Sequence, residues 1–311
     1  MSAVTSPIAQ HRARRRGKVL PALALAAVAV AGIVAGGAVA AGDAPSRAAA
    51  VALPPAPTGV ADLPVPAIAQ VEAAEPCADP AVTGALAAGD AGAVIAAFGG
   101  AGAFRAHIAG GAAPCVPLDD ARWPWVVVNK QRPLVPADFR PAALDAPADT
   151  VAANRVLTPE AASALDALAQ AAAAEGAGRI ALDSGFRSYQ TQVVAYGSQV
   201  AARGTEGADE VSARPGHSEH QTGLAADVVA CDPGCGTLGG FGGTPQAEWV
   251  AANAWRFGWI VRYEPGATGT TGYVAEPWHL RYVGVELAAA YHKGGFHTLE
   301  EFFGLPPAAT Y

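Results

Sequence analysis

Charge is scarce in this chain. Asp, Glu, Lys and Arg make up 15% of the 311 residues, and the formal net charge is -7. A basic excess, the electrostatic footprint of nucleic-acid binding, is missing, which argues against nucleic acid as a partner. No internal repeat is present, so a solenoid or propeller is not expected. The glycine-rich stretch Gly234 to Gly243 lacks the Gly-Lys-Ser/Thr ending of a phosphate loop and reads as an ordinary loop. Cysteine is limited to four residues, too few for a disulfide-dominated scaffold. Hydrophobic residues reach 51%, which excludes wholesale disorder. Alanine supplies much of that fraction, so the true core is smaller than the figure suggests.

The charge that is there is unevenly placed. Residues 1–18 hold five Arg/Lys and no acid, leaving 15 basic against 27 acidic side chains in the rest. The basic stretch His11 to Lys18 precedes Val19 to Ala41, a run without charge. Such a run is long enough to cross a bilayer, which takes roughly 20 residues. Positive charge ahead of it keeps the N-terminus inside and sends the remainder outward. Residues 1–41 therefore read as a signal peptide, with Ala38-Val39-Ala40 as a cleavage site, or as a retained membrane anchor. An extracytoplasmic location follows, membrane-anchored or secreted.

Export favours oxidised thiols. Four cysteines permit three connectivities, and the sequence-local pairing Cys77 with Cys115 and Cys231 with Cys235 is expected; a metal site on Cys231 and Cys235 is the alternative. Residues 42–76 are rich in Ala and Pro and read as a semi-extended spacer. Residues 77–116 form a small helical segment bracketed by cysteines, and 117–311 the main domain. In that domain Trp125 to Asn129 has the character of a short strand. Thr158-Pro159-Glu160 opens a helix to about Ala174, with Thr158 as N-cap. Ile180–Asp183, Leu224–Ala230, Trp259–Tyr263 and Trp278–Val283 read as strands. Helices are expected over Tyr189–Ala202 and Trp249–Phe257, and Glu300 to Phe303 closes the domain. The irregular alternation favours an α+β fold over a doubly wound sheet.

Three clusters carry chemistry. In Ser218-Glu219-His220-Gln221-Thr222-Gly223-Leu224-Ala225-Ala226-Asp227 an aspartate sits inside an apolar run, where an unpaired carboxylate is costly. A metal ion would compensate it. Glu276-Pro277-Trp278-His279 places an acid and an imidazole three residues apart, with Pro277 disfavouring helix at Glu276. Ser184-Gly185-Phe186-Arg187-Ser188 is a polar turn with a guanidinium near its apex. His220, Asp227 and His279 make an N/O ligand set suited to Zn²⁺. Glu276 would serve as general base, and Arg187 would pair with a substrate carboxylate or a developing oxyanion. These parts describe metal-assisted amide hydrolysis. His107, His217, His292 and His297 read as surface or packing residues.

The combined pattern, Ser218-x-His220-x-x-Gly223-x-Ala225-x-Asp227 with Glu276-x-x-His279, resembles the VanY-type D-alanyl-D-alanine carboxypeptidases of the M15 zinc metallopeptidases. The likeness runs from about Trp125 to Phe303 and includes Val127-Val128-Asn129-Lys130, Ser184-Gly185-Phe186-Arg187-Ser188, Glu276 through Gly284, and Leu299-Glu300-Glu301. Phe186 stands where the family more often has tyrosine. The resemblance implies a small antiparallel sheet with flanking helices at a zinc site. It implies His220, Asp227 and His279 as zinc ligands, Glu276 as base and Arg187 as the stabilising arginine. Ser188, Gln192 and Ser218 are implied to line the substrate groove. The expected partner is a peptidoglycan stem peptide, trimmed of its C-terminal D-amino acid. Endopeptidase or L,D-carboxypeptidase activity on the same scaffold is the alternative within the class. A zinc-stabilised wall-binding module without turnover is the alternative outside it.

Overall fold

The computed structural model describes residues 75–152 and 155–311; the expected N-terminal segment 1–41 and all but the end of the 42–76 spacer lie outside them. Three short helices come first: α1 (Pro80–Ala88), α2 (Ala91–Ala97) and α3 (Ala101–Ala109). Asp79 and Asp90 cap the first two, accepting from Ala81 N and Ala93 N, which satisfies amides that have no intrahelical partner. The Cys77–Cys115 disulfide joins the two ends of this segment, and Cys231–Cys235 is the second bridge. Val82, Val94, Ile95 and Phe104 from the three helices share a buried cluster with Trp125, Leu287, Phe302 and Phe303.

Helix α4 (Pro159–Ala174) begins where the Thr158 cap and Pro159 predict it. Its buried Ala161, Ala162, Leu165, Leu168 and Ala172 recur at helical spacing and form one apolar stripe. Strand β1 (Arg179–Ser184) follows, then α5 (Tyr189–Asp209). The sequence reading ends α5 near Ala202; the structure carries it further, with a break at Gly204, whose φ of 75° is left-handed. After it come β2 (Ala225–Cys231), α6 (Pro245–Asn253) and β3 (Trp259–Tyr263). The chain then forms a short α7 (Thr268–Thr271), β4 (Glu276–Tyr282), α8 (Val285–Lys293) and α9 (Leu299–Phe303).

The four strands form one antiparallel sheet in the order β1-β2-β4-β3. One cluster combines α4 with Leu182, Ala226, Val228, Leu280 and Trp259. The other combines α8 and α9 with Ile260 and Val283. The α+β architecture expected from the sequence is the one observed.

One strand expectation is corrected. Trp125 to Val128 is not in a strand, and only Asn129 makes an isolated bridge, to Arg132. The run is apolar because it threads between the two cores, not because it pairs in the sheet. Val126 and Val128 enter one cluster, Trp125 and Val127 the other. Its backbone is satisfied from elsewhere: the Arg281 guanidinium donates to the Pro124 and Val126 carbonyls at 3.0 and 2.8 Å, and Val127 N donates to Leu118 O at 2.8 Å. Buried backbone groups need partners, but those need not be ladder partners.

Candidate active site

The insertion of β4 between β2 and β3 builds the site. It places Asp227 on β2 directly opposite His279 on β4, and cross-strand residues of an antiparallel pair share a face. His220 arrives from outside the sheet, on the 3-10 turn Glu219–Thr222. Gly223 ends that turn at φ 71°, a left-handed conformation that suits glycine, so the chain can reverse directly into β2.

Three ligand-type atoms, one from each residue, lie within 4.8 Å of one another, and all three residues are buried. His220 Nε2 is 3.2 Å from Asp227 Oδ2, and His279 Nδ1 is 3.1 Å from Asp227 Oδ1. The two imidazole rings stand nearly perpendicular, with centroids 5.0 Å apart. The Gly185 carbonyl, 2.7 Å away, accepts from His220 Nδ1, which leaves Nε2 free as an acceptor facing the site. Asp227 Oδ1, despite its proximity to His279, is buried without a hydrogen-bond partner. A buried oxygen in that condition calls for a cation. Two imidazoles and one carboxylate suit Zn²⁺, with room in its coordination for water or substrate, so the residues present fit such an ion.

The electrostatics divide the two imidazoles. Burial, together with the Arg187 charge, pushes His220 below its ordinary value, so it is neutral at pH 7. Burial also works against the His279 cation, but Asp227 and Glu219 override it and push His279 up to about 9. For Asp227, burial alone would raise the carboxyl; His220 and His279 instead hold it far below the usual carboxylate range. Glu276 behaves differently. Its Oε2 is 3.7 Å from His279 Nδ1 at the edge of the site, and burial pushes its carboxyl up. A carboxylate of raised pKa is a better proton acceptor.

Arg187 also reaches the site. Its Nη1 lies 3.9 Å from Asp227 Oδ2 and 3.3 Å from Ser184 Oγ, and its backbone amide donates to His220 O at 3.2 Å. With a third of its side chain exposed, it can meet a substrate. The other three expected residues lie on α5, at its N-cap and at the N-cap of the 3-10 turn. Ser188 caps α5, accepting from Thr191 N. The Gln192 side-chain amide, buried, donates to Ala213 O at 2.7 Å, while Ser218 is buried beside the 3-10 turn.

Sequence reasoning passed over Glu219. It is fully buried, and its Oε2 stands 3.3 Å from His279 Nε2. Its Oε1 accepts from Arg262 Nε at 2.9 Å and Arg281 Nη1 at 3.1 Å. A signal was present: Arg262 and Arg281 each interrupt an apolar strand, and a buried guanidinium requires a buried acid.

A family model described as VanY, D-alanyl-D-alanine carboxypeptidase, matches residues 154–285, a stretch that contains Arg187, His220, Asp227, Glu276 and His279. A bifunctional D-Ala-D-Ala dipeptidase and D-Ala-D-Ala carboxypeptidase of Enterococcus gallinarum is 30% identical over 168 residues, covering 51% of this chain and 83% of that protein. The chain belongs to the VanY family. A D-alanyl-D-alanine carboxypeptidase of Enterococcus faecalis is 33% identical to this VanY-family chain over 186 residues, covering 57% of the chain and 65% of the relative. The Bacillus subtilis protein YodJ, whose name assigns it provisionally as a carboxypeptidase, is 40% identical over 182 residues, 57% of this chain and 66% of that protein. The chain thus spans about two thirds of the length of these two relatives. Among solved structures, that of the LdcB LD-carboxypeptidase superposes with a TM-score of 0.54 at 38% identity, covering 58% of this chain and 85% of that one.

Proposed function

We propose that this protein is a zinc-dependent D-alanyl-D-alanine carboxypeptidase that removes the C-terminal D-amino acid from peptidoglycan stem peptides. The observation that carries the reading is the convergence, in a VanY-family chain, of the His220–Asp227–His279 triad with Glu276 and Arg187 at its edge. When bound, zinc supplies Lewis acidity, which polarises a carbonyl and lowers the pKa of water from about 15.7 to about 7.

The chain's own residues supply the rest. Glu276, whose carboxyl burial pushes up, takes the proton of the attacking water and hands it to the leaving amine. Arg187 offers its guanidinium to the substrate's terminal carboxylate or to the negative charge that develops on the carbonyl oxygen. The Gly185 carbonyl holds the His220 imidazole and Glu219 faces Nε2 of His279, so little reorganisation is needed as charge develops. The retention of Glu276, a base with no use in a purely structural metal site, supports turnover over a wall-binding role.

A second reading, L,D-carboxypeptidase, is favoured by the likeness to LdcB. Digestion of purified muropeptides followed by mass measurement separates the two. Loss of one residue from pentapeptide stems is the expected result. Trimming of tetrapeptides alone would assign the L,D activity, and cleaved cross-links would overturn both in favour of an endopeptidase. The place of action we propose is outside the cytoplasm, membrane-anchored or secreted. The two disulfides and the uncharged run after a basic N-terminus support this.

A further inference from the structure

We infer that Glu219 is a positioning residue that fixes which nitrogen of His279 faces the metal; the inference rests on the metal-site reading above. His279 has two ring nitrogens, and only an unprotonated one can ligate. Nδ1 faces Asp227 Oδ1 at 3.1 Å. Nε2 faces Glu219 Oε2 at 3.3 Å, on the side away from the triad. A carboxylate can only accept, so Glu219 requires the proton on Nε2 and leaves the Nδ1 lone pair for the ion. Carboxylate partners of this kind set tautomer and ring orientation in metal sites.

What makes Glu219 a rigid reference is the rest of its surroundings. Its Oε1 is held by Arg262 and Arg281 at 2.9 and 3.1 Å. Arg262 in turn forms a two-point pair with Glu300, at 3.0 and 2.8 Å. Asn129 Nδ2 donates to Glu300 Oε1 at 2.9 Å, and Arg281 is anchored on the Pro124 and Val126 carbonyls. Glu219, Arg262, Arg281 and Glu300 are all fully buried or nearly so. Two acids balance two guanidiniums, so the network is neutral and each member has partners. Residues far apart in the chain, on α9, β3, β4 and the Trp125–Asn129 run, thereby converge on the orientation of one imidazole.

The chemistry of a Glu219→Gln substitution is unusually constrained. Two guanidiniums can only donate, so they keep the amide oxygen at the Oε1 position. The NH₂ group then occupies the Oε2 position and donates toward His279 Nε2. That requires the proton on Nδ1, where it blocks the metal. The size of the side chain is unchanged. Glu300→Gln is the matched control, since it removes one buried acid from the same network without touching His279.

The test uses the full chain loaded with Zn²⁺. Nitrogen-15 NMR of the imidazoles should show His279 protonated at Nε2 and coordinated through Nδ1. Zinc affinity, measured by competition with a chelator, should fall about 10- to 100-fold in Glu219→Gln and stay within about threefold of wild type in Glu300→Gln. Coordination through Nε2 in the wild-type chain would overturn the inference, and this measurement needs no variant to fold. Wild-type affinity in Glu219→Gln, or equal losses in the two variants, would overturn it as well, the latter by assigning the effect to network stability. Failure of the wild-type chain to take up zinc is a different result: it would remove the metal-site reading and this inference together.

Discussion

At the residue scale, the site assigns separate duties to side chains of similar type. Asp227 and Glu276 are both carboxylates, yet the first is held ionised far below its ordinary range while burial raises the second. That contrast suits Asp227 to the ligand role and Glu276 to the base role proposed for them. Glu276→Gln should therefore retain the metal and lose hydrolysis by a factor of about 10² or more; metal content and muropeptide turnover measured on one preparation check it, and unchanged turnover would remove Glu276 from its role. His220→Ala and His279→Ala should lose both metal and turnover. The imidazoles also make a prediction about protons. In the metal-free protein His279 is raised to about 9, so at pH 7 it carries a proton on each nitrogen, and metal at Nδ1 must displace one of them. Zinc uptake near pH 7 should release about one proton from this residue, and affinity should rise with pH until His279 deprotonates near pH 9. Calorimetric titrations in buffers of different ionisation enthalpy count that proton; a count near zero would contradict the assignment.

At the element scale, the site depends on turns as much as on strands. The β1–α5 turn delivers Arg187, and its Gly185 carbonyl orients His220. A Cβ on Gly185 would run into the backbone oxygen of Val156, which cannot move aside as a flexible side chain can. Gly185→Ala should shift the turn, weaken zinc binding several-fold and destabilise the fold by about 1–3 kcal/mol. Thermal unfolding together with chelator competition checks both effects, and a variant with wild-type values would show the turn to be slack. Local signals located many of these elements. Thr158, Pro159 and the apolar stripe of α4 mark its start and its buried face without any tertiary information. Trp125 to Asn129 misled because an apolar β-branched run looks the same whether it pairs in a sheet or passes between two cores. Helices α7 and α8 had no comparable cap signal, and neither shows a side-chain cap bond in the structure.

At the scale of the whole molecule, helices α1–α3 and the four-stranded sheet share a buried cluster. Arg105 on α3 bonds the Phe302 carbonyl of α9 at 2.5 Å, and Glu300 of α9 grips Arg262 of β3. The Cys77–Cys115 bridge closes a sequence separation of 38 residues, whereas Cys231–Cys235 spans only 4. Longer closed loops restrict the unfolded chain more. Replacing Cys77 and Cys115 by serine should cost about 2–5 kcal/mol, and replacing Cys231 and Cys235 distinctly less. Denaturant unfolding of the two double variants decides it; equal losses would mean that strain or native contacts, not loop closure, set the contribution.

What the sequence determined by itself was chemistry and local form: the ligand-type residues and their spacing, the α+β character, the capped start of α4 and a preference for sequence-local cysteine pairs. Such information acts over a few residues, through side-chain chemistry, capping and the limits that proline and glycine place on the backbone. Only the tertiary structure decided that β4 lies beside β2, so that Asp227 faces His279. It alone brought Glu219 against an imidazole 60 residues away. Strand order and the pairing of buried charges are settled by contacts between distant segments competing for the same interior, and no local stretch of sequence carries that outcome.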